Sequence, residues 1–438
     1  MILWLGILAF VYPIPHTIAL RNLVLIVGLL LCVFRMFQNE SGQQAPRLSA
    51  LPYSALVLLL ILSAWMVFQS TFISRHSVEA LQLMRGDWLV VLIAGFIGGW
   101  LAASGGRGAS IALLGGFSAA LFAHVLWLLG YQLFFLISTG RYPQAHELTP
   151  FAQRDYHSSL FTMLTALLLA ELMARMLKGR SLLPIPTRLL LLGLGINLLA
   201  TMLIQTRNAV LITIAMLAAC AWLLVREKSA LDARARRLSS YAAIVAGCVA
   251  LGGIANDFGR WKQFIETAKV AVETREHLSW QNLEKYPLPR MSNGDEVEVS
   301  AYSRIAWGKV ALEQIVEHPL GVGFGHKAFG WAVNEAYGLD SGIESSHSGL
   351  LDFTLANGLP GLALWLAFSA ALVGFGLRSF WRNGSPAGLM LTLSVFGYLI
   401  RCALDGHLSG WRLEMYGLIV GVLMVLAAKA DDREPGAN

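Results

Sequence analysis

Long apolar runs separated by short polar segments dominate the chain. A helix crosses a bilayer with about 20 apolar residues, and twelve segments fit that rule. The first of them is short and ends at Pro13. The predicted spans cover residues 2–12, 17–37, 50–72, 87–103, 109–137, 157–177, 183–204, 208–225, 239–256, 347–377, 386–402 and 411–428.

One long polar segment, residues 257–345, interrupts this pattern. Apolar residues recur at helical spacing from Phe258 to Val272, which predicts an amphipathic helix. A second helix is predicted from Ser300 to Glu317, where His318-Pro319 ends it. The hydrophobic pattern therefore predicts an all-α polytopic membrane protein of about twelve transmembrane helices with one large, mostly helical loop.

The composition supports a membrane protein and narrows its partners. The 438 residues are 56% hydrophobic and 14% charged, whereas soluble domains carry roughly 25% charged residues. The four cysteines all lie in apolar runs, so they predict neither a disulfide nor a zinc site. The net charge of +6 favours anionic lipid or phosphate partners over nucleic acid.

Lysine and arginine in short loops predict the orientation in the membrane. Loops 175–188 and 226–238 are rich in both and are separated by two spans, so both are predicted to be cytoplasmic. The long polar segment then faces outward. The predicted organisation is one structural domain, with spans one to nine in residues 1–256, an outward helical loop in 257–346, spans ten to twelve in 347–430, and a cytoplasmic tail in 431–438.

The outward face carries arginine but no lysine outside the long loop. The guanidinium fork binds phosphate through two parallel hydrogen bonds, which an ammonium group cannot do. This pattern predicts a site for a phosphorylated ligand, although we expect most of these residues only to anchor helix ends at the headgroups. The eight arginines are Arg21, Arg75, Arg85, Arg141, Arg154, Arg207, Arg401 and Arg412.

Three arginines have informative settings. Arg207 lies in a turn of a few residues between two spans, beside Thr206 and the N-terminus of the next helix, which is itself an anion site. We interpret it as a phosphate ligand rather than an interfacial anchor. For Arg154, which Asp155 could neutralise, and for Arg304, both interpretations remain open.

His347 lies where the long polar segment meets a long apolar one. An unperturbed imidazole has a pKa of about 6.5 and is largely neutral at pH 7. It could therefore accept a proton from an attacking hydroxyl, or it could simply begin a helix while bonded to Ser345 or Ser348. The pattern leaves both open, and Asn357-Gly358 with Pro360-Gly361 predicts a break in the helix that follows.

No metal or cofactor site is expected from the sequence. The outward carboxylates are scattered, and no Asp-x-Asp, His-x-x-x-His or nucleophile-elbow motif occurs. The glycine run Gly321 to Gly325 lacks the Gly-Lys-Ser/Thr ending of a phosphate loop, so it predicts a flexible turn after a helix.

Several short motifs together resemble the O-antigen ligase and polymerase superfamily, and the length and layout resemble its ligase branch. One departure is Ser348, where the family often has Asn. The motifs are Gln205-Thr206-Arg207, Tyr302-Ser303-Arg304-Ile305-Ala306-Trp307, Glu317-His318-Pro319-Leu320-Gly321-Val322-Gly323-Phe324-Gly325, His347-Ser348-x-x-Leu351 and Asn357-Gly358-x-x-Gly361-Leu362.

This resemblance implies an inverting, metal-independent glycosyltransferase of the Gram-negative inner membrane whose active site faces the periplasm. The implied donor is an undecaprenyl-diphosphate-linked glycan and the implied acceptor is the lipid A-core oligosaccharide. Carried over, His347 activates the acceptor hydroxyl and Arg207 contacts the donor diphosphate. Arg154, Arg304, Arg85 and Arg401 are the further candidates for substrate binding. Membrane lipids are expected partners, whereas a cofactor and nucleic acid are not.

Two other functions remain open at this stage. A polymerase of the same superfamily or a protein-directed oligosaccharyltransferase would carry the same motifs. A transporter of lipid-linked glycans would place ionisable groups at mid-membrane. Here His124 is the clear mid-span candidate, and the charge gathers at one face instead, which favours an enzyme.

Overall fold

The computed structural model describes residues 2–38, 51–144, 146–150, 154–226, 258–338, 342–406 and 408–431. These residues form fourteen helices and no strands, which confirms the predicted all-α class. In chain order the helices are α1 (Ile2–Val11), α2 (Ile18–Gln38), α3 (Tyr53–Ile73), α4 (Ser77–Ser104), α5 (Arg107–Thr139), α6 (Arg154–Lys178), α7 (Thr187–Leu203), α8 (Arg207–Arg226), α9 (Phe258–Ala271), α10 (Val299–Glu317), α11 (Ala328–Tyr337), α12 (Gly349–Asn383), α13 (Pro386–Leu404) and α14 (Gly410–Asp431).

Eight of the described helices are long and apolar enough to cross a membrane: α3, α4, α5, α6, α8, α12, α13 and α14. The protein is therefore a multi-pass membrane protein. Helices α2 and α7 contain shorter apolar stretches, and α1 has ten residues. The predicted span 239–256 lies outside the described residues. Helix α4 begins at Ser77, ten residues before the predicted start, because a π-helical turn at Met84–Trp88 carries the helix through polar positions.

Helices α6, α13 and α14 form the centre of the bundle, and most of their side chains are buried. Helix α14 packs closely against α4 through glycines on both helices. A β-carbon at Gly421 would lie 2.9 Å from the carbonyl carbon of Gly95. Without side chains at these positions the two backbones can approach, as is common between membrane helices.

The ends of the predicted cytoplasmic loops meet at one end of the bundle. The ammonium group of Lys178 lies 4.8 Å from the ring centre of Trp381, and the guanidinium of Arg226 lies 5.7 Å from the same ring. Arg180 donates to the carbonyl of Asn383 over 2.8 Å. This arrangement agrees with the prediction that both basic loops share one side.

The long polar segment has a small core of its own at the other end. Its helices α9 and α10 lie where the apolar periodicity predicted them. Trp280, Tyr302 and Phe329 are buried between them and α11. The same core includes Leu355 and Ala356 of α12, so the segment is packed onto a membrane helix.

The contact with α12 depends on a break in that helix. Gly358 has φ of 72° and ψ of 177°, a conformation that is essentially restricted to glycine. The break leaves the carbonyls of Leu355 and Ala356 without helical partners. They accept hydrogen bonds from the backbone N–H groups of Val322 (2.9 Å) and Gly323 (3.1 Å) instead.

A further backbone hydrogen bond joins the turn after α10 to α12, and we call this contact the junction. The backbone N–H of Leu359 donates to the carbonyl of Pro319 over 2.8 Å. A β-carbon at Gly358 would lie 2.7 Å from the Cα of Leu320, so the two backbones are in contact. The predicted flexibility of Gly321 to Gly325 is therefore wrong: the turn is held by backbone hydrogen bonds to the broken helix.

Candidate functional site

His347 lies two residues before α12, in an uncommon backbone conformation. Its φ of 61° is in the left-handed region, which few residues other than glycine occupy. The side-chain oxygen of Ser345 accepts from the backbone N–H of His347 over 2.9 Å. Strained conformations of this kind persist only where the surroundings determine them, and they cluster at functional sites.

The residues after His347 are tied to the end of α13. The Ser348 hydroxyl donates to the carbonyl of Ala403 (3.0 Å), and the Gly349 N–H donates to the carbonyl of Asp405 (2.9 Å). The last carbonyls of a helix have no partner within it, so these bonds satisfy the end of α13. They also fix the loop that carries His347.

The imidazole of His347 stacks on the indole of Trp307 in α10. The ring centres are 5.3 Å apart and the planes differ by 16°. The indole nitrogen of Trp307 donates to the carbonyl of Trp280 over 2.9 Å, which holds the indole in place. Neither ring nitrogen of His347 is hydrogen-bonded within the described part of the chain, so the ring is oriented by stacking and its nitrogens can meet a substrate.

The surroundings lower the pKa of His347 from its ordinary value. The main cause is burial among protein groups, which disfavours the charged imidazolium, and the guanidinium of Arg304 adds repulsion. The carboxylates of Asp405 and Asp155 act in the opposite direction without cancelling the shift. His347 is consequently neutral at pH 7, the form that can accept a proton.

Arg304 and Trp307 share one face of α10. Residues three apart on a helix are neighbours on its surface, so the helix that stacks against His347 also brings a guanidinium to it. Arg304 is half-buried. Arg154, the first residue of α6, is half-buried as well and precedes Asp155, whose charge acts on His347.

Arg207 also lies close to α10. It is the first residue of α8, and its side chain is 42% exposed. Its guanidinium lies 3.7 Å from the carboxylate of Glu298. That carboxylate caps the start of α10 by accepting from the N–H of Ala301 over 3.2 Å. Arg207 therefore lies beside the N-terminus of the helix that carries Arg304 and Trp307.

The turn that carries Arg207 is anchored at the same place as the loop that carries His347. Gln205 has a left-handed φ of 55°, which turns the chain sharply. The side-chain amide of Asn208 donates to the carbonyl of Leu404 over 3.1 Å, again at the end of α13. One helix end thus positions both residues that the sequence predicted to be catalytic.

Comparison with known families agrees with this arrangement. Residues 191–366 match the family model described as O-antigen ligase. This match to part of the chain supports membership of the O-antigen ligase family. The matched segment runs from α7 to the break in α12, so it contains Arg207, Arg304 and His347 but not Arg85, Arg154 or Arg401. No curated protein sequence matches the chain.

Arg401 lies in the interior of the helical bundle. It is 2% exposed and donates to the carbonyl of Ser158 and to the hydroxyl of Thr162, each over 2.9 Å. These bonds join α13 to α6. The predicted role of Arg401 in substrate binding is not supported by this position, because its guanidinium faces protein groups.

Arg85 lies apart from the other predicted site residues. It is exposed on the π-helical turn of α4. No described contact joins it to His347, Arg207 or Arg304. The structure thus brings together His347, Arg207, Arg304 and the start of α6. Arg85 lies outside that group, and Arg401 is buried beside it through its hydrogen bonds to α6.

One group of potential metal ligands occurs among the described residues. Glu273, Glu276 and His277 have ligand atoms within 4.8 Å of one another in the turn after α9. Exposed acidic groups are common without an ion, and none of the predicted site residues belongs to this group.

Two contributors to the site were missed by the sequence reasoning. Trp307 orients His347, and the carbonyl of Asp405 fixes the loop around it. The spacing of Trp307 from Arg304 was a usable signal, since it predicts a shared helix face. Asp405 had no comparable signal, because its contact links residues far apart in the sequence.

Proposed function

We propose that this protein is an O-antigen ligase that transfers an O-antigen glycan from undecaprenyl diphosphate to the lipid A-core oligosaccharide. Family membership supports an enzyme of glycosyltransferase type in the O-antigen pathway. The observation that carries the finer proposal is the convergence of a stacked, neutral histidine with arginines at one end of a membrane bundle. The proposed location is the periplasmic face of the Gram-negative inner membrane.

In the proposed reaction an acceptor hydroxyl attacks the anomeric carbon of the donor glycan. His347 takes the hydroxyl proton as the new carbon–oxygen bond forms. The bond between the anomeric carbon and the diphosphate oxygen breaks, and its electron pair leaves with undecaprenyl diphosphate. A single displacement inverts the anomeric configuration. General base catalysis of this kind contributes about 10²–10⁴ to a rate.

The arginines are proposed to meet the charge that develops on the leaving diphosphate. Guanidinium groups can bind a phosphate through paired, charge-assisted hydrogen bonds, and preorganised cations stabilise charge that forms in the transition state. Arg207 and Arg304 are the first candidates, and Arg154 is the third. This assignment makes the reaction independent of a divalent metal ion. Activity that disappears on exhaustive chelation and returns with a metal would contradict it.

The base assignment is tested with His347→Ala and His347→Gln in a strain that depends on this gene. We expect both variants to accumulate to normal levels and to attach no O-antigen to lipid A-core on a lipopolysaccharide gel. His146→Ala, at an exposed position between α5 and α6, is the control and should support normal attachment. Normal attachment in His347→Ala would remove His347 from the mechanism.

A null strain separates the ligase from its closest alternative. Loss of a ligase leaves long polymer on the lipid carrier, whereas loss of a polymerase leaves one repeat unit on lipid A-core. A protein-directed oligosaccharyltransferase would leave lipopolysaccharide unchanged and remove glycan from a protein. We expect the first of these phenotypes, and either of the others would reassign the acceptor.

Arg207 is tested by comparing Arg207→Lys with Arg207→Ala. Lysine keeps the charge but cannot supply the two-pronged hydrogen bond. We expect both variants to raise KM for the lipid-linked donor, and lysine to recover only part of the loss. A lysine variant equal to the wild type would mean that Arg207 acts as a simple surface charge.

A further inference from the structure

A second polar pocket lies beside the loop that carries His347. It is bounded by α4, by the turn after α10, by the first turns of α12 and by the segment after α13. Its cavity volume is about 50 Å³, and the pocket is partly open to solvent. Asp87, His326, Asp352, Phe353, Asn357 and Ser409 are among the residues that line it.

Asn357 supplies a hydrogen-bond acceptor that the described protein does not use. The residue is fully buried at the break in α12. Its amide NH₂ donates to the carbonyl of Phe353, and its backbone carbonyl accepts from the indole of Trp65. Its side-chain oxygen accepts no hydrogen bond from any described residue. A buried acceptor left unpaired is destabilising, so a donor from a ligand would be stabilising there.

The other polar groups of the pocket are mainly acceptors too. Asp87 and Asp352 contribute carboxylates, and none of the described residues that line the pocket is a lysine or arginine. Asp352 accepts from the backbone N–H of Ser346 over 2.8 Å, and His326 lies 4.0 Å from Asp87. A phosphate would be repelled by this lining. Hydroxyl groups, which donate to carboxylate and amide oxygens, fit it.

Acceptor groups can also bind a metal cation. The spacing of the carboxylate and imidazole groups in this pocket does not favour a metal site. Among the described residues, no three carboxylate, imidazole or thiol ligands of this pocket lie within 4.8 Å of one another. Two phenyl rings, from Phe324 and Phe353, line the pocket as well. Planar polar side chains combined with aromatic surfaces match the alternating hydroxyl and C–H faces of a sugar ring.

We propose that this pocket binds an uncharged sugar residue of the acceptor glycan. The inference rests on the proposed function and assigns the acceptor to a place separate from the arginines. Ser345 connects the pocket to the loop of His347: it lines the pocket, and its hydroxyl accepts from the backbone N–H of His347. A sugar held there would lie beside the loop that carries the proposed base, while the donor diphosphate would be held by cations.

The pocket is tested by direct binding to the detergent-solubilised full-length protein. The probe is the core oligosaccharide that mild acid releases from the lipopolysaccharide of a strain lacking this gene. Binding is measured by saturation-transfer difference NMR. The variants are Asn357→Leu, which removes the unused acceptor, and Ser409→Trp, which fills the pocket from a half-buried wall position. Asn293→Leu, at an exposed position in the outward segment, is the matched control.

We expect saturation transfer in the wild type and in Asn293→Leu, and a loss of at least tenfold in both pocket variants. Arg207→Ala should bind the oligosaccharide normally. In the transfer assay the pocket variants should raise KM for the acceptor and leave KM for the lipid-linked donor unchanged. These results together would support the proposal.

Two binding results would overturn it. The first is an absence of saturation transfer in the wild type, and the second is wild-type binding by Ser409→Trp. Binding that depends on the pocket without any transfer of O-antigen to lipid A-core would refute the proposed function alone. Transfer with unchanged acceptor KM in both variants would refute the pocket alone.

Discussion

Replacement of Gly358 by alanine should detach the long polar segment from α12, the membrane helix that it packs against. Gly358 has a φ of 72° and a ψ of 177°, which alanine adopts only under strain. Its new β-carbon would lie 2.7 Å from the Cα of Leu320, whereas carbon atoms pack at about 3.5–4.0 Å. The turn before Gly321 must therefore move by about 1 Å.

That movement breaks the hydrogen bonds that hold the junction. The bonds from Val322, Gly323 and Leu359 are 2.9, 3.1 and 2.8 Å long, and N–H···O bonds extend to about 3.2 Å. The strain costs about 1–3 kcal/mol, and each lost bond about 0.5–1.5 kcal/mol net. We expect Gly358→Ala to be destabilised by about 3–7 kcal/mol.

The assay is thermal unfolding in one detergent, followed by intrinsic fluorescence, with O-antigen attachment measured on the same preparations. Irreversible unfolding is common in large proteins, so the midpoints are compared at one heating rate. Gly374→Ala is the matched control: it lies in the same helix, and no atom lies within 4 Å of its added β-carbon. Alanine is a better helix former than glycine by about 1 kcal/mol, so this control should unfold at the wild-type temperature or above.

The functional consequence follows from the position of α10. This helix carries Trp307, which stacks on His347, and it leads directly into the turn that contacts Gly358. A shift of the turn should therefore reduce attachment of O-antigen as well as stability. A Gly358→Ala protein that melts with Gly374→Ala and attaches O-antigen normally would refute this account of the junction.

Three further outcomes are expected. Arg304→Gln should move the acidic limb of the kcat/KM profile to higher pH, because the guanidinium that opposes protonation of His347 is gone; the wild-type limb should lie below about pH 6.5. Arg401→Met should lower the melting midpoint, since each hydrogen bond lost from a charged group costs about 1.5–3 kcal/mol. KM for the lipid-linked glycan should stay unchanged; a raised KM would restore Arg401 to the binding site. Gly421→Ala should lower protein levels and the melting midpoint by forcing α14 from α4, whereas Gly195→Ala, with no neighbour within 4 Å, should not; equal midpoints would refute the close-packing argument.

The helices of this protein are readable from the sequence because their apolar runs and periodicity are local properties. Helices α9 and α10 lie within one or two residues of their predicted bounds. The start of α4 was missed because Arg85 and Asp87 interrupt its apolar run. The helix continues through them as the π-helical turn Met84–Trp88. Asp87 lies 4.0 Å from His326 of the long polar segment, a partner that no local pattern reveals.

The site was predictable where the chain itself limits the position of a residue. Arg207 lies in a turn too short to leave the membrane face, and His347 lies at a helix start, so topology alone brings both to one end. Arg401 is also near a helix end, yet it points inward. Its orientation depends on Ser158 and Thr162 of α6, and contacts across more than two hundred residues cannot be inferred from spacing.

The end of α13 explains why distant segments act as one site. Its final carbonyls have no helical partners, and they accept from Asn208 beside Arg207 and from Ser348 and Gly349 beside His347. A helix C-terminus is usually satisfied by a cap or by water; here it is satisfied by the two predicted catalytic loops. Because both loops depend on the same short stretch of backbone, a change there moves the proposed base and the proposed diphosphate ligand together. The loop of His347 then separates a side rich in arginine from a pocket lined by carboxylates and an unused amide oxygen. Under the proposed assignments, that division by charge would let a phosphorylated donor and an uncharged acceptor sugar bind at once without competing for the same groups.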